Sequence, residues 1–405
     1  MSAATRSGLL SHVTVLDITN FLAGPYGSQV MADMGARVVK IEPPDGDITR
    51  TTPPHFLKGE SAYYLSVNRN KESIVLNLKD KEGQAIFLDL VKKADIVFEN
   101  YRPGVLQRLG IGFEELKKVN PRIVMCSVSG FGQDGPYRDR PAYDIIVQAL
   151  SGGMSMTGEE GGTAVRAGIP LGDLAAGMFG VIGALSALSH VAATGEGKHI
   201  DVSMLDCQVS MLTYQAAYYL MSGEVPGLQG RGHRSLTTYR AYLCGDGIEI
   251  VVAANSEKMW RGLCDVLGHP ELPEDARFKA RNVRLLNRAQ LDEILEAAFL
   301  KTRSEDVLAA LEKAEVPSAP INSVDRALAD PQIQHRNMVI DLQHEDGESL
   351  RVVGNPVKVV GGNDDNRGFP PHLGADTARV LQDMLGANPQ QIQDWRERGI
   401  VAGGA

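Results

Sequence analysis

Short apolar runs of strand length alternate with longer segments of helical spacing through the first half of the chain. Val13-Thr14-Val15-Leu16-Asp17 is followed by a segment from Pro25 to Met34, and then by Arg37-Val38-Val39-Lys40-Ile41-Glu42. Two β-branched runs flanking a helix-length segment read as a βαβ unit, with Pro25 accommodated in a first turn that does not need its missing N–H. The pattern continues with strands over Ser73–Leu76, Asp95–Glu99 and Ile123–Val128 and helices over Lys81–Lys93 and Phe113–Lys118. Such alternation predicts an α/β fold with a doubly wound, Rossmann-like parallel sheet.

Two strongly apolar helical stretches follow, Leu174–His190 and Leu205–Met221, separated by a Gly195-Glu196-Gly197 turn and the short run His199–Val202. Neither carries a polar face, so both are expected against the sheet or at a subunit contact. Gly223–Gly232 reads as a glycine-rich linker, after which the grammar changes. A hairpin over Thr238–Ala253 turns at Gly245-Asp246-Gly247, and helices follow over Glu257–Leu267, Arg288–Leu300 and Ser304–Ala314. Residues 223–327 are therefore expected to form a smaller α+β domain. A second hairpin turns at Glu345-Asp346-Gly347, and helices over Ala375–Leu385 and Gln390–Glu397 close the chain. No internal repeat or low-complexity tract interrupts this order.

With 405 residues, 43% of them hydrophobic, the chain exceeds the size at which one core stays undivided, which supports two domains. A net charge of -9 repels nucleic acid and anionic lipid, so any anionic ligand needs a local basic patch. Cys126, Cys207, Cys244 and Cys264 are far apart and form no CxxC pair, which argues against a zinc site or a disulfide framework. No signal-like start is visible, and no apolar run is expected to reach the ~18 residues that span a bilayer. A cytoplasmic protein with no membrane or nucleic-acid partner and no metal is the expectation.

The turn Gly24-Pro25-Tyr26-Gly27 stands where a dinucleotide fingerprint would be, but it lacks the GxGxxG glycines. Glu42, at the end of the second strand, then reads as a surface glutamate rather than a ribose contact. Arg69, Lys71, Lys79, Arg102, Arg108, Arg138 and Arg140 fall at strand ends and loops, which in a doubly wound sheet can converge on the ligand crevice. Asp173 follows Gly172 and precedes an apolar helix. Locally it reads as an N-cap, and the partial positive charge of a helix start would also hold a carboxylate ionised for attack. Gly172 and Gly152-Gly153 would let backbone amides approach a reacting oxygen. His233 and Arg234 lie on the linker, as loop residues or as part of a site at a domain junction. Ser-His-Asp, HExxH and Walker patterns are absent.

These residues resemble the class III coenzyme A transferases, the family that includes formyl-CoA transferase and carnitine CoA-transferase. The resemblance rests on Leu22-Ala23-Gly24-Pro25, on Gly35 to Pro44, on Asn68-Arg69-Asn70-Lys71, on Glu99-Asn100-Tyr101-Arg102-Pro103-Gly104, on Ser129-Gly130-Phe131-Gly132 and on Gly172-Asp173. It implies that Asp173 is the nucleophile and that CoA, a substrate rather than a prosthetic group, runs along Lys79, Tyr101, Arg108, Leu109, Arg140 and Tyr143. The likeness is densest to the succinyl-CoA:dicarboxylate branch. There a basic group must receive the distal carboxylate, and His233 and Arg234 are the candidates. Leu22 stands where formyl-CoA transferase has a glutamine, which argues against oxalate, and Pro43 replaces a CoA-contacting arginine. The family further implies interlocked homodimers whose large domain, here 1–222 and 328–405, is built from both chain ends. An α-methylacyl-CoA racemase is the nearest rival, but its partner histidine would fall in Ala142-Tyr143-Asp144, which has none.

Overall fold

The computed structural model describes residues 8–344, 346–362 and 367–403. Thr14–Ile18 (β1) and Arg37–Glu42 (β2) pair in parallel around the helix Ala23–Asp33 (α1). Lys71–Leu76 (β3), Ile96–Glu99 (β4), Val124–Ser129 (β5) and His199–Ser203 (β6) complete a parallel sheet in the order β3-β2-β1-β4-β5-β6. A short strand, Val401–Ala402, pairs antiparallel with β3 on the outer edge. The fold is thus mixed α/β with a mostly parallel central sheet. Strand order reverses between β1 and β4, the point at which such sheets open a crevice at their carboxyl ends.

Side chains alternate between the two faces of this sheet. Val15, Val38, Ile96, Phe98, Val124 and Cys126 enter one apolar cluster, while Leu16, Ile18, Val39, Ile41, Val97 and Met125 enter another. Both faces are buried, which is why these strands read as nearly continuous apolar runs. The helices Asp144–Leu150 (α2), Leu171–Thr194 (α3) and Met204–Met211 (α4) belong to the first face. Where α3 crosses α1 there is no room for a side chain: a Cβ on Gly177 would stand 2.6 Å from the Ala23 carbonyl oxygen.

Two expectations are corrected here. At 24 residues, α3 is long and apolar enough to cross a membrane by length and composition, against the expectation that no such run exists. Its apolarity instead matches its packing, because Ala175, Ala176, Val181, Ala184 and Val191 are buried on the sheet side. The stretch read as one helix over Leu205–Met221 is two, α4 and Tyr214–Ser222, because Thr213 between them takes a left-handed conformation at φ 47°.

The chain divides into two compact units, one of Met1–Gly153, Arg166–Ala216 and His335–Ala405, the other of Met154–Val165 and Ala217–Gln334. In the second, Gly232–His233 (β7), Leu236–Leu243 (β8), Glu249–Ala253 (β9) and Ser318–Pro320 (β10) form an antiparallel sheet over a core around Trp260, Phe278 and Phe299. Two backbone bonds, Gln229 N to Met156 O and Gly230 N to Gly158 O, hold the glycine-rich segment to Met154–Val165. In the first unit, Val339–Gln343 and Ser349–Val353 form the second hairpin. Of its expected turn, Glu345 lies outside the described residues.

Candidate active site

Chain reversal at β1 and β4 opens a cavity of about 630 Å³ at the carboxyl ends of β1, β4 and β5. Asn20 and Asn100, the residues that follow β1 and β4 closely, are tied reciprocally. The Asn20 amide donates to Asn100 Oδ1 at 2.9 Å, and Asn100 Nδ2 donates to the Asn20 carbonyl at 2.7 Å. Phe21, next in the chain, is held at φ 61° and meets Tyr143 edge-on across the mouth at 6.1 Å. A non-glycine residue in that region stores local strain that the surrounding bonds must sustain.

Beneath this turn lies a buried ionic network. Lys71 Nζ contacts Asp17 Oδ2 at 3.0 Å, Asn68 Oδ1 at 2.8 Å and the Pro25 carbonyl at 3.0 Å. Lys40 Nζ pairs with Asp47 at 2.9 Å and donates to the Thr19 carbonyl at 2.8 Å. Burial opposes every one of these charges, yet Lys71 and Lys40 hold the Asp17 carboxyl well below its ordinary value. Burial dominates at Lys71 and pulls it down to about 8. Each lysine thus donates to one backbone carbonyl beyond β1, Thr19 or Pro25, as well as to side chains, and so fixes the cavity floor.

Two carboxylates line the cavity, Asp144 and Asp173. Asp144 is fully engaged: Oδ1 accepts the Gly172 amide at 2.7 Å and Oδ2 accepts Gln148 Nε2 at 2.6 Å. It thereby caps one of the orphan N–H groups at the start of α3 from a neighbouring helix. Asp173 is not the N-cap that local sequence suggested; Pro170 holds that position, and Asp173 is the third helical residue. Its half-buried carboxyl accepts no hydrogen bond among the described residues, and burial first, then the Asp144 charge, pushes it up to about 7. A helix start supplies ~0.3–1 kcal/mol, less than one pKa unit, so it does not keep this group as acidic as expected. The result is a basic, unencumbered carboxylate, the better nucleophile of the two. The Gly172 amide itself is committed to Asp144.

Among the residues singled out from the sequence, Asp173, Tyr101, Arg140 and Tyr143 line this cavity, as do Arg102 and Arg138. Arg108 is adjacent, because a Cβ on Gly104 would stand 3.0 Å from Arg138 Nη2 and 3.1 Å from Arg108 Nη1. Lys79 is exposed and outside it, Leu109 packs against the core, and Leu22 precedes α1 without lining the cavity. Gly172 is buried beside Asp144. Two other readings are corrected. Glu42 is a buried partner of Arg50 at 2.7 Å, not a surface residue. Arg69 pairs with Asp33, and Lys71 belongs to the ionic floor, so neither joins the basic cluster. Within the second unit, to which His233 and Arg234 belong, Arg234 pairs with Glu224 and lines a cavity of about 430 Å³. The four cysteines are free and buried. In the C-terminal part of the first unit, ligand atoms of His344, Asp346 and His372 lie within 4.8 Å of one another, and His344 Nδ1 meets Asp346 Oδ1 at 2.7 Å.

Sequence reasoning missed Asp144, Gln148 and Arg166. The first two sit on α2, whose apolar residues Ile145, Ile146 and Leu150 are exposed and so trace no buried stripe. A signal existed in Tyr143-Asp144, which begins a helix with an acid in its first turn. No histidine lines the cavity among the described residues, so the acid/base pair of a racemase lacks its second member.

A family model described as CoA-transferase family III matches residues 10–377. A succinate–glutarate CoA-transferase of Agrobacterium fabrum is 38% identical over 386 residues, covering 94% of this chain and 96% of the relative. An acetyl-CoA:oxalate CoA-transferase of Acetobacter aceti is 42% identical over 363 residues, covering 89% and 92%. The crystal structure of a CAIB/BAIF family protein from Brucella suis superposes with a TM-score of 0.84 at 34% identity, covering 94% of this chain and all of that one.

Proposed function

This chain belongs to CoA-transferase family III, and from that premise we propose that it moves CoA from succinyl-CoA to a second dicarboxylic acid through the Asp173 carboxylate. The observation that carries the reading is the contrast between two acids in one cavity: Asp144 is spent on hydrogen bonds, while Asp173 accepts none among the described residues and is pushed up to about 7. Arg102, Arg138 and Arg140 on the same walls supply the local basic patch that phosphates need in an acidic protein.

The chemistry balances without metal or nucleotide hydrolysis. Ionised Asp173 attacks the thioester carbonyl of the donor, forming a mixed anhydride and releasing CoA thiolate. The thiolate attacks the aspartyl carbonyl, giving an aspartyl thioester and the free donor acid. The acceptor carboxylate attacks that thioester, regenerating thiolate and forming a second anhydride. Attack of the thiolate on the acceptor acyl carbon yields the new acyl-CoA and frees Asp173. Each step exchanges one activated carboxyl for another of similar energy, and exclusion of water protects them all.

Leu22 does not line the cavity, so its identity does not by itself exclude oxalate, and the 42% identity to an oxalate enzyme keeps short diacids in the test. We propose that the chain works as a homodimer, supported by the exposed apolar side of α3 at Met178, Phe179 and Ile182, which a second copy would cover. The test is a CoA-exchange assay with succinyl-CoA and glutarate, hydroxymethylglutarate and oxalate as acceptors. Transfer to at least one diacid that disappears in Asp173→Ala supports the reading; no transfer to any of them, or full transfer by the variant, overturns it.

A further inference from the structure

Four arginines face the Asp173 cavity, and their places in the chain separate them. Arg102, Arg138 and Arg140 lie on the loops beyond β4 and β5, where Arg138 and Arg108 converge beside Gly104. Arg140 stacks on Tyr137 at 3.8 Å and Arg138 pairs with Asp139 at 2.8 Å. Clustered guanidinium groups at a strand-order reversal suit the phosphates of a nucleotide.

Arg166 stands apart from these. It lies on the segment leading into α3, seven positions before Asp173, and is held by the same clamp that holds the nucleophile. The Ala167 amide donates to Gln148 Oε1 at 2.9 Å, Gln148 Nε2 donates to Asp144 Oδ2 at 2.6 Å, and Asp144 Oδ1 accepts the Gly172 amide at 2.7 Å. Gln148 is only 3% exposed, so this bridge is shielded from water and fixes the backbone beside Arg166 and beside Asp173 together.

The Arg166 guanidinium itself is exposed to the cavity. Among the described residues it meets no carboxylate at ion-pair distance, and its one hydrogen bond goes to the Ala167 carbonyl at 3.2 Å. A guanidinium that lines the same cavity, is tied through Gln148 and Asp144 to the start of the Asp173 helix, and has no carboxylate partner among the described residues is complementary to an acid with a second carboxylate at its far end.

We propose that Arg166 receives the distal carboxylate of the dicarboxylic substrate, in the donor succinyl-CoA and in the acceptor acid alike. This assignment rests on the CoA-transferase reading and adds to it the residue that selects diacids. Arginine suits the role because its fork can grip both carboxylate oxygens, whereas lysine offers a single point of charge.

Steady-state kinetics with succinyl-CoA and glutarate test it, alongside inhibition by free CoA. Arg166→Ala is expected to raise the KM for glutarate about 10- to 100-fold while leaving the inhibition constant of CoA unchanged. Arg166→Lys should recover part of the loss. Arg102→Ala should do the reverse, weakening CoA and sparing glutarate. A wild-type KM for glutarate in Arg166→Ala, or an equal loss for glutarate and CoA, overturns the assignment while leaving CoA transfer standing. A wild-type protein that transfers CoA to no diacid removes both readings at once.

Discussion

At the scale of single residues, the proposed mechanism assigns the attack to Asp173 and not to Asp144. Attack requires the ionised form, so the transfer rate should rise tenfold per pH unit below about 7 and level off above it. Asp144→Asn removes the like charge but not the burial, so the inflection should move to lower pH without reaching 3.8. A pH–rate profile of both proteins reads this directly, and coincident inflections would contradict it. Stability carries the opposite sign. The native state keeps a proton on Asp173 that the unfolded chain has lost between pH 3.8 and about 7, so folding weakens as pH rises across that window. Asp173→Asn should therefore stabilise the protein by about 1–2 kcal/mol at pH 8 and by nothing near pH 4, read from urea unfolding midpoints.

Helices and strands set that chemistry in place. At Gly172 a Cβ would stand 2.6 Å from Gln208 Nε2, 2.8 Å from Val147 Cγ2 and 3.1 Å from Asp144 Oδ1, so Gly172→Ala must displace the side chains that pack around the start of α3. We expect a loss of about 1–3 kcal/mol in thermal unfolding. A displaced Asp173 should also lower kcat about 100-fold with little change in the KM for CoA esters. An alanine variant with wild-type kcat would mean that the start of α3 is not held as described. The strands around β1 and β4 were legible in the sequence because both faces of a parallel sheet are apolar, which leaves unbroken runs such as Val38-Val39 and Ile96-Val97-Phe98. Asp173 stood out as a candidate through family resemblance alone, since its local context pointed only to a cap. The Asp144–Gln148 clamp was not legible. It joins positions 144, 148, 167 and 172 through side-chain bonds that no periodicity records, on a short helix where Val147 is buried but Ile145, Ile146 and Leu150 are exposed. Glu42 misled for a related reason: its partner Arg50 arrives from a separate turn, and only the fold brings the two together.

For the molecule as a whole, the net charge of -9 and the arginine-lined cavity pull in opposite directions. Attraction of an anionic CoA ester is local and will be screened, so raising ionic strength should increase the KM for succinyl-CoA while leaving kcat nearly constant. If the apolar side of α3 meets a second copy, sedimentation should give a species of twice 43.7 kDa, and Ile182→Asp should shift it toward the monomer. The central claim is narrower than either of these: one side chain carries the activated group between donor and acceptor. Its most direct test is to mix the protein with succinyl-CoA in the absence of acceptor, quench with hydroxylamine, and map the adduct by mass spectrometry. The account predicts a hydroxamate at Asp173 that forms only when the thioester is present. An enzyme that transfers CoA at full rate but yields no modification there, or yields it at Asp144 instead, would contradict it.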